Sequence, residues 1–171
     1  MKSGDRLPRD QKAGCLNPSG PAIRSANSDA QRSIEVTDRP AAADVGLLRS
    51  GLIADNEPFL GPADFRNLAV LARSAGVLDG GLIGETARGF LFVDLFWVAP
   101  GRRGAGLGAR LLAAAEAEAL RRGCHAAWLD TYDFQARPFY ERHGYRLFGE
   151  LAGFRDGHRR YYMVKDLTGD Q

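Results

Sequence analysis

The sequence predicts an α/β (α+β) fold, and three observations carry that prediction. Three successive runs of apolar, β-branched and aromatic residues, Arg66 to Arg73, Leu78 to Ala87 and Phe90 to Val98, read as strands joined by short turns. A glycine-rich turn from Val98 to Gly108 then leads into an amphipathic helix, with Leu111, Leu112, Ala115 and Ala119 on one face. Beyond it, short strands alternate with one further helix. The order read along the chain is β-α-β-β-β-α-β-α-β-β.

Each element has its own justification. Residues 1–32 are rich in Gly, Pro, Ser and charge, with only Met1, Leu7, Leu16 and Ile23 as large apolar residues, so they read as a flexible N-terminal extension. A partner-binding arm or a flap over a site is the alternative. Ser33 to Thr37 alternates apolar and polar residues as a first strand would. Asp38 caps a helix over 41–53, in which Val45, Leu48 and Leu52 share a face. Two prolines and a glycine make Asp55 to Pro62 a loop. Asp79-Gly80-Gly81 and Arg88-Gly89 supply residues that tolerate positive φ at turns or bulges.

The long helix, Leu107 to Arg122, closes on basic residues and Gly123, as its dipole and C-cap prefer. His125 to Thr131 is the next strand. Pro138 lacks a backbone donor, so regular helix begins near Arg137 and Pro138, which places Tyr140 in its first turn. Tyr145 to Leu151 and Arg160 to Leu167 form a hairpin connected through Asp156-Gly157.

Composition bounds the function. The chain has 171 residues, enough for one domain with a real core, here assigned to 33–168. With 44% hydrophobic residues, 26% charged and a net charge of +2, it reads as soluble and globular, without the charge excess of a nucleic-acid binder. No apolar run approaches the ~20 residues that span a membrane, and the N-terminus lacks the apolar core of a signal peptide. A cytoplasmic protein without a membrane partner is expected. Cys15 and Cys124 are too few for a disulfide framework, and His125, His143 and His158 show no metal spacing with them. Metal-free chemistry follows.

In the glycine-rich turn, small residues let the backbone N–H groups of Gly104, Ala105, Gly106, Leu107 and Gly108 converge, and the helix start adds about half a positive charge. Such a cradle suits pyrophosphate. A Walker loop would end in Gly-Lys-Ser/Thr, whereas Gly108 is followed by Ala109 and Arg110. The dinucleotide fingerprint needs Gly-x-Gly-x-x-Gly, and this loop reads Gly-x-Gly-x-Gly.

Arg103-Gly104-Ala105-Gly106-Leu107-Gly108, with the Val-x-Pro lead-in at Val98 to Pro100, resembles the Arg/Gln-x-x-Gly-x-Gly/Ala signature of the GCN5-related N-acetyltransferases. Asp133-Phe134-Gln135-Ala136-Arg137-Pro138-Phe139-Tyr140-Glu141-Arg142-His143-Gly144-Tyr145 is similar to the family's Asn-x-x-Ala-x-x-Phe-Tyr-x-x-x-Gly-Phe segment. The resemblance spans about 33–168. It implies a mixed, mostly antiparallel twisted sheet of six to seven strands with helices on both faces, and acetyl-CoA as co-substrate.

By that resemblance, Arg103 and the amides of Gly104 to Gly108 hold the pyrophosphate. The backbone of Phe96, Trp97 and Val98 pairs with the pantetheine arm where the fourth and fifth strands splay. Asp133 stands at the family's Asn, as a cofactor contact or as a cap of the following turn. Tyr140 protonates the departing thiolate, or else packs on the cofactor. Asn56, Glu57 and Phe59 become candidate acceptor contacts, and dimerisation through the C-terminal strands is implied.

The acceptor sets a further demand. An alkylamine of pKa ~10.4 is almost entirely protonated at pH 7, a deficit of about 4.6 kcal/mol unless a base assists. Asp94, at the same parity as Phe96 and Val98, is the first candidate base or else a sheet-pairing group; Glu85, Asp130 and His158 follow it. Arg155, His158, Arg159 and Arg160 form a basic cluster, either a solvated face or a contact for an acidic acceptor or cofactor phosphate. Cys124 lies beside a helix C-terminus, where the dipole opposes a thiolate, so no covalent enzyme intermediate is expected. The implied activity is direct acetyl transfer to a primary amine of a small molecule. Peptide or protein amines, and a non-catalytic acyl-CoA sensor, stand as alternatives.

Overall fold

The structure is a computed structural model and describes residues 33–169. The extension at 1–32 lies outside the described residues. Residues 33–41 have no regular structure, with Ile34 and Val36 exposed. The strand expected at 33–37 does not form: a five-residue segment needs a ladder, and no described strand pairs with it.

From Ala42 onward the chain forms one compact unit. Helix α1 (Ala42–Leu60) buries none of its residues and runs well past the expected end at 53. Pro58 sits inside it, where its ring forfeits one helical hydrogen bond near the end of the helix rather than at its centre. The amide of Gly61 closes the helix on Glu57 O at 2.9 Å, with Gly61 at φ +73. Asn56, Glu57 and Phe59 therefore belong to helix, not to a loop.

Six strands follow: β1 (Arg66–Ser74), β2 (Val77–Ala87), β3 (Phe90–Val98), β4 (Ala126–Tyr132), β5 (Arg146–Leu151) and β6 (Arg160–Asp166), in the order β1-β2-β3-β4-β6-β5. Only the β3–β4 pair is parallel. The turn between β1 and β2 is Ala75-Gly76, both at positive φ, whereas Asp79 to Gly81 lies within β2 beside a register shift. Arg88-Gly89 makes the next turn, as expected.

Helix α2 (Leu107–Arg121) crosses β1, β2 and β3. Its apolar face, Leu111, Leu112, Ala115 and Ala119, is buried as its spacing predicts. Leu112, Ala115 and Ala119 pack with Leu68, Leu82, Leu91, Val93, Leu129 and Met163. Each fully buried leucine contributes roughly 1.5–3 kcal/mol. Arg122 fixes the far end of α2: it donates to Arg66 O (3.3 Å), Asn67 O (3.1 Å) and Thr86 Oγ1 (3.2 Å), while Glu118 neutralises it at 2.6 Å. The short helix α3 (Arg137–Arg142) starts at Arg137, with Pro138 in its first turn. Among the described residues no helix is long and apolar enough to cross a membrane.

Candidate active site

The site begins with a defect in β3. Ile83 pairs with Leu95 and Gly84 with Val93, so Asp94 is an extra residue in the ladder. A bulge of this kind bends the strand and shifts its phase. Before it, Leu91 and Val93 are buried; after it, Phe96 and Val98 are the more buried residues while Leu95 and Trp97 turn outward. Asp94 thus shares the parity of Phe96 and Val98.

The parallel β3–β4 ladder runs from Phe90–Ala126 to Val93–Leu129 and ends there. Beyond that point β3 stays paired with β2, and β4 with β6. The two strands part, leaving a cleft between 94–98 and 130–132. One backbone edge of Phe96, Trp97 and Val98 faces that cleft without a β4 partner.

At the mouth of the cleft lies the glycine-rich turn. It is fastened from both sides: the Ala99 amide donates to Asp79 O (2.8 Å), Arg102 pairs with the Asp79 carboxylate (2.8 Å), and Arg103 Nε donates to Val98 O (2.9 Å). Ser74 donates to the same Asp79 carboxylate, and these two hydrogen bonds hold its pKa below the usual value. Gly104 and Gly106 take φ of +78 and +79, conformations that favour glycine. Gly106 is the N-cap of α2, and Arg110 donates back to it at 3.1 Å. The amides of Leu107, Gly108 and Ala109 therefore have no intrahelical acceptor and point out of the helix start, as an anion cradle requires.

Tyr140 stands behind this loop. Its ring lies 6.3 Å from Phe96, 5.2 Å from Phe139 and 5.8 Å from Tyr145. Gly108 sits on the same cluster, so that a Cβ there would meet Phe139 at 3.5 Å and Phe96 at 3.8 Å. Tyr140 is buried, and burial, with the Asp130 carboxylate adding to it, pushes its phenol up to about 12. The hydroxyl therefore keeps its proton at neutral pH and can donate it.

Asp94 is half-buried, and one of its carboxylate oxygens is enclosed without a hydrogen-bond partner. The Asp133 carboxylate accepts from the adjacent Phe134 amide (2.9 Å) and sits 3.0 Å from His158 Nδ1, while the N-cap of α3 is Ala136, without a side-chain cap. The basic cluster is compensated. Arg155 lies 3.8 Å from Asp156, His158 faces Asp133, Arg159 pairs with Glu150 and Arg160 with Asp130. Cys124 is buried, and desolvation raises its pKa. Among the described residues no group of three or more His, Cys, Asp or Glu could hold a metal ion.

The sequence reading singled out the loop and Tyr140, but it missed Asp79 as the fastener of the loop. Its signal was the charged residue preceding two glycines inside an otherwise apolar strand. It also missed the Asp133–His158 pair, because α3 and β5 lie between the partners in the chain.

A bulged strand that leaves its parallel neighbour, a glycine-rich helix start and a buried tyrosine stand together in one α/β domain, and the comparisons identify its class. The profile of the Acetyltransferase (GNAT) family matches residues 48–145, and the chain belongs to that family. It is an N-acetyltransferase by that membership. The chain is 47% identical over 93 residues to the blasticidin-S acetyltransferase of Streptomyces morookaense, covering 54% of this chain and 68% of the relative. It is 39% identical over 119 residues to acetyltransferase Atu2258 of Agrobacterium fabrum, covering 69% and 87%. The crystal structure of an acetyltransferase from Agrobacterium tumefaciens superposes with a TM-score of 0.73 at 35% identity, over 79% of this chain and 99% of that one.

Proposed function

We propose that this protein transfers the acetyl group of acetyl-CoA directly to a primary amine of a small molecule, in the cytoplasm and without a metal. The observation that carries this reading is the end of the β3–β4 ladder at Val93, which opens a cleft with the cradle at its mouth and Tyr140 behind it. In this reading Arg103 and the amides of Gly104, Ala105, Gly106, Leu107 and Gly108 hold the pyrophosphate, the edge of Phe96, Trp97 and Val98 takes the pantetheine arm, and Asp133 borders the cofactor. Asp94 offers a negative charge to the incoming ammonium and is a candidate for its proton. Tyr140 donates its proton as sulfur departs. The Streptomyces relative, whose name ties it to the small molecule blasticidin S, supports a small acceptor. The edge strand β5, with Phe148 and Leu151 exposed, supports the expectation of a homodimer.

The test is calorimetric titration with acetyl-CoA, followed by assay of free CoA thiol with a panel of amines that includes blasticidin S. Micromolar binding and amine-dependent thiol release are expected. Binding without release on any small amine would turn the reading toward protein acceptors or a sensor, and absence of binding would sink it.

A further inference from the structure

Asp133 directly follows β4, and its backbone amide donates to Arg159 O (3.0 Å), which brings His158 against its carboxylate. His158 Nδ1 lies 3.0 Å from one Asp133 oxygen and 3.3 Å from the other. Partial burial pushes the Asp133 carboxyl up, but the His158 hydrogen bond and charge, with the amides of Phe134 and Arg159, outweigh it and leave the net shift downward. An ionised carboxylate only accepts hydrogen bonds, so Nδ1 carries the hydrogen of the pair, and in the neutral ring Nε2 is the nitrogen that bears the lone pair. The ring is also held from the side: Phe134 meets it edge to face at 4.8 Å, and Phe134 in turn stacks on Tyr132 at 5.3 Å.

We infer that His158, positioned by Asp133 just past the end of β4, is the catalytic group that takes the proton from the acceptor's ammonium. This rests on the direct-transfer reading above. Asp94 keeps the ammonium anchored, and an imidazole is better matched than a carboxylate to accepting a proton near neutral pH. The first ammonium proton passes to His158 Nε2. The freed nitrogen lone pair forms the C–N bond as the C–S bond breaks, and the sulfur takes the Tyr140 proton. The nitrogen's second proton restores the Tyr140 phenol, and the imidazolium returns the first to solvent, so that one proton is released per acetyl group moved.

Two measurements on the full chain test this. Long-range 1H–15N spectra, assigned with His158→Gln, are expected to show His158 protonated at Nδ1, with that preference lost in Asp133→Asn. In acetyl-CoA and blasticidin S turnover, His158→Gln should lower kcat at least about 100-fold while acetyl-CoA affinity stays within about twofold, and added imidazole should partly rescue His158→Ala. A proton on Nε2, or a His158→Gln kcat close to native, overturns the assignment. The tautomer is read without an acceptor, so a proton on Nε2 overturns the assignment even where the native protein does not turn over blasticidin S.

Discussion

Gly84 lies directly beneath the carbonyl of Phe92: a Cβ at Gly84 would overlap that oxygen and stand 3.3 Å from Val93 Cα. The absent side chain lets β2 lie close against β3 where the register shifts at Asp94. Gly84→Ala must push the two strands apart where the cleft begins. It should cost about 1–3 kcal/mol in stability and weaken acetyl-CoA binding at least tenfold, as read by denaturant melts and calorimetry. Native affinity in that variant would separate the bulge from cofactor binding.

Gly106 offers the opposite case, since no atom lies within 4 Å of a Cβ built there and only its φ of +79 resists substitution. Gly106→Val should fold, with strain of about 1–2 kcal/mol, yet lose measurable acetyl-CoA binding because the side chain enters the cradle. Retained binding would reduce residues 104–108 to a structural turn.

Tyr140→Phe removes one oxygen from a site that burial has kept protonated. Acetyl-CoA affinity should stay near native while turnover falls at least tenfold. Equal turnover in the two proteins would take Tyr140 out of the mechanism.

The same tyrosine predicts an alkaline weakness. Its folded-state value, about 12, lies above the ordinary 10.0, so the unfolded chain gives up this proton first. The resulting stability is present below about pH 10 and declines as pH rises toward 12, by about 2–3 kcal/mol in all. Burial pushes Tyr145 up as well, which adds to the loss in the same direction. Urea midpoints compared at about pH 9 and pH 11 should fall less steeply in Tyr140→Phe than in the native protein.

Much of this molecule was legible from local pattern. Strand β3 and the start of α2 fall where the apolar run and the helical spacing put them, and Pro138 marks the start of α3. What stayed hidden depends on partners. Ser33 to Thr37 has a strand's alternation but no ladder to join, and the prolines after Asp55 stop α1 only at Leu60. The bulge was invisible because Phe90 to Val98 is apolar on both faces, so a slip of phase leaves no trace in hydrophobicity. Asp94 could be singled out as the lone charge in that run, but its enclosed and unpartnered oxygen belongs to the folded chain alone.

The cleft is written in the count of residues rather than in their kind. Replacing Asp94 with another side chain leaves the spare link in β3, and with it the opening. Deleting that one residue would let Leu95 and its successors slide back into step, so that the strand could continue its ladder along β4. A scan of substitutions would miss this dependence. A scan of single deletions would find it at once, as a protein that still folds but whose two strands have closed on each other.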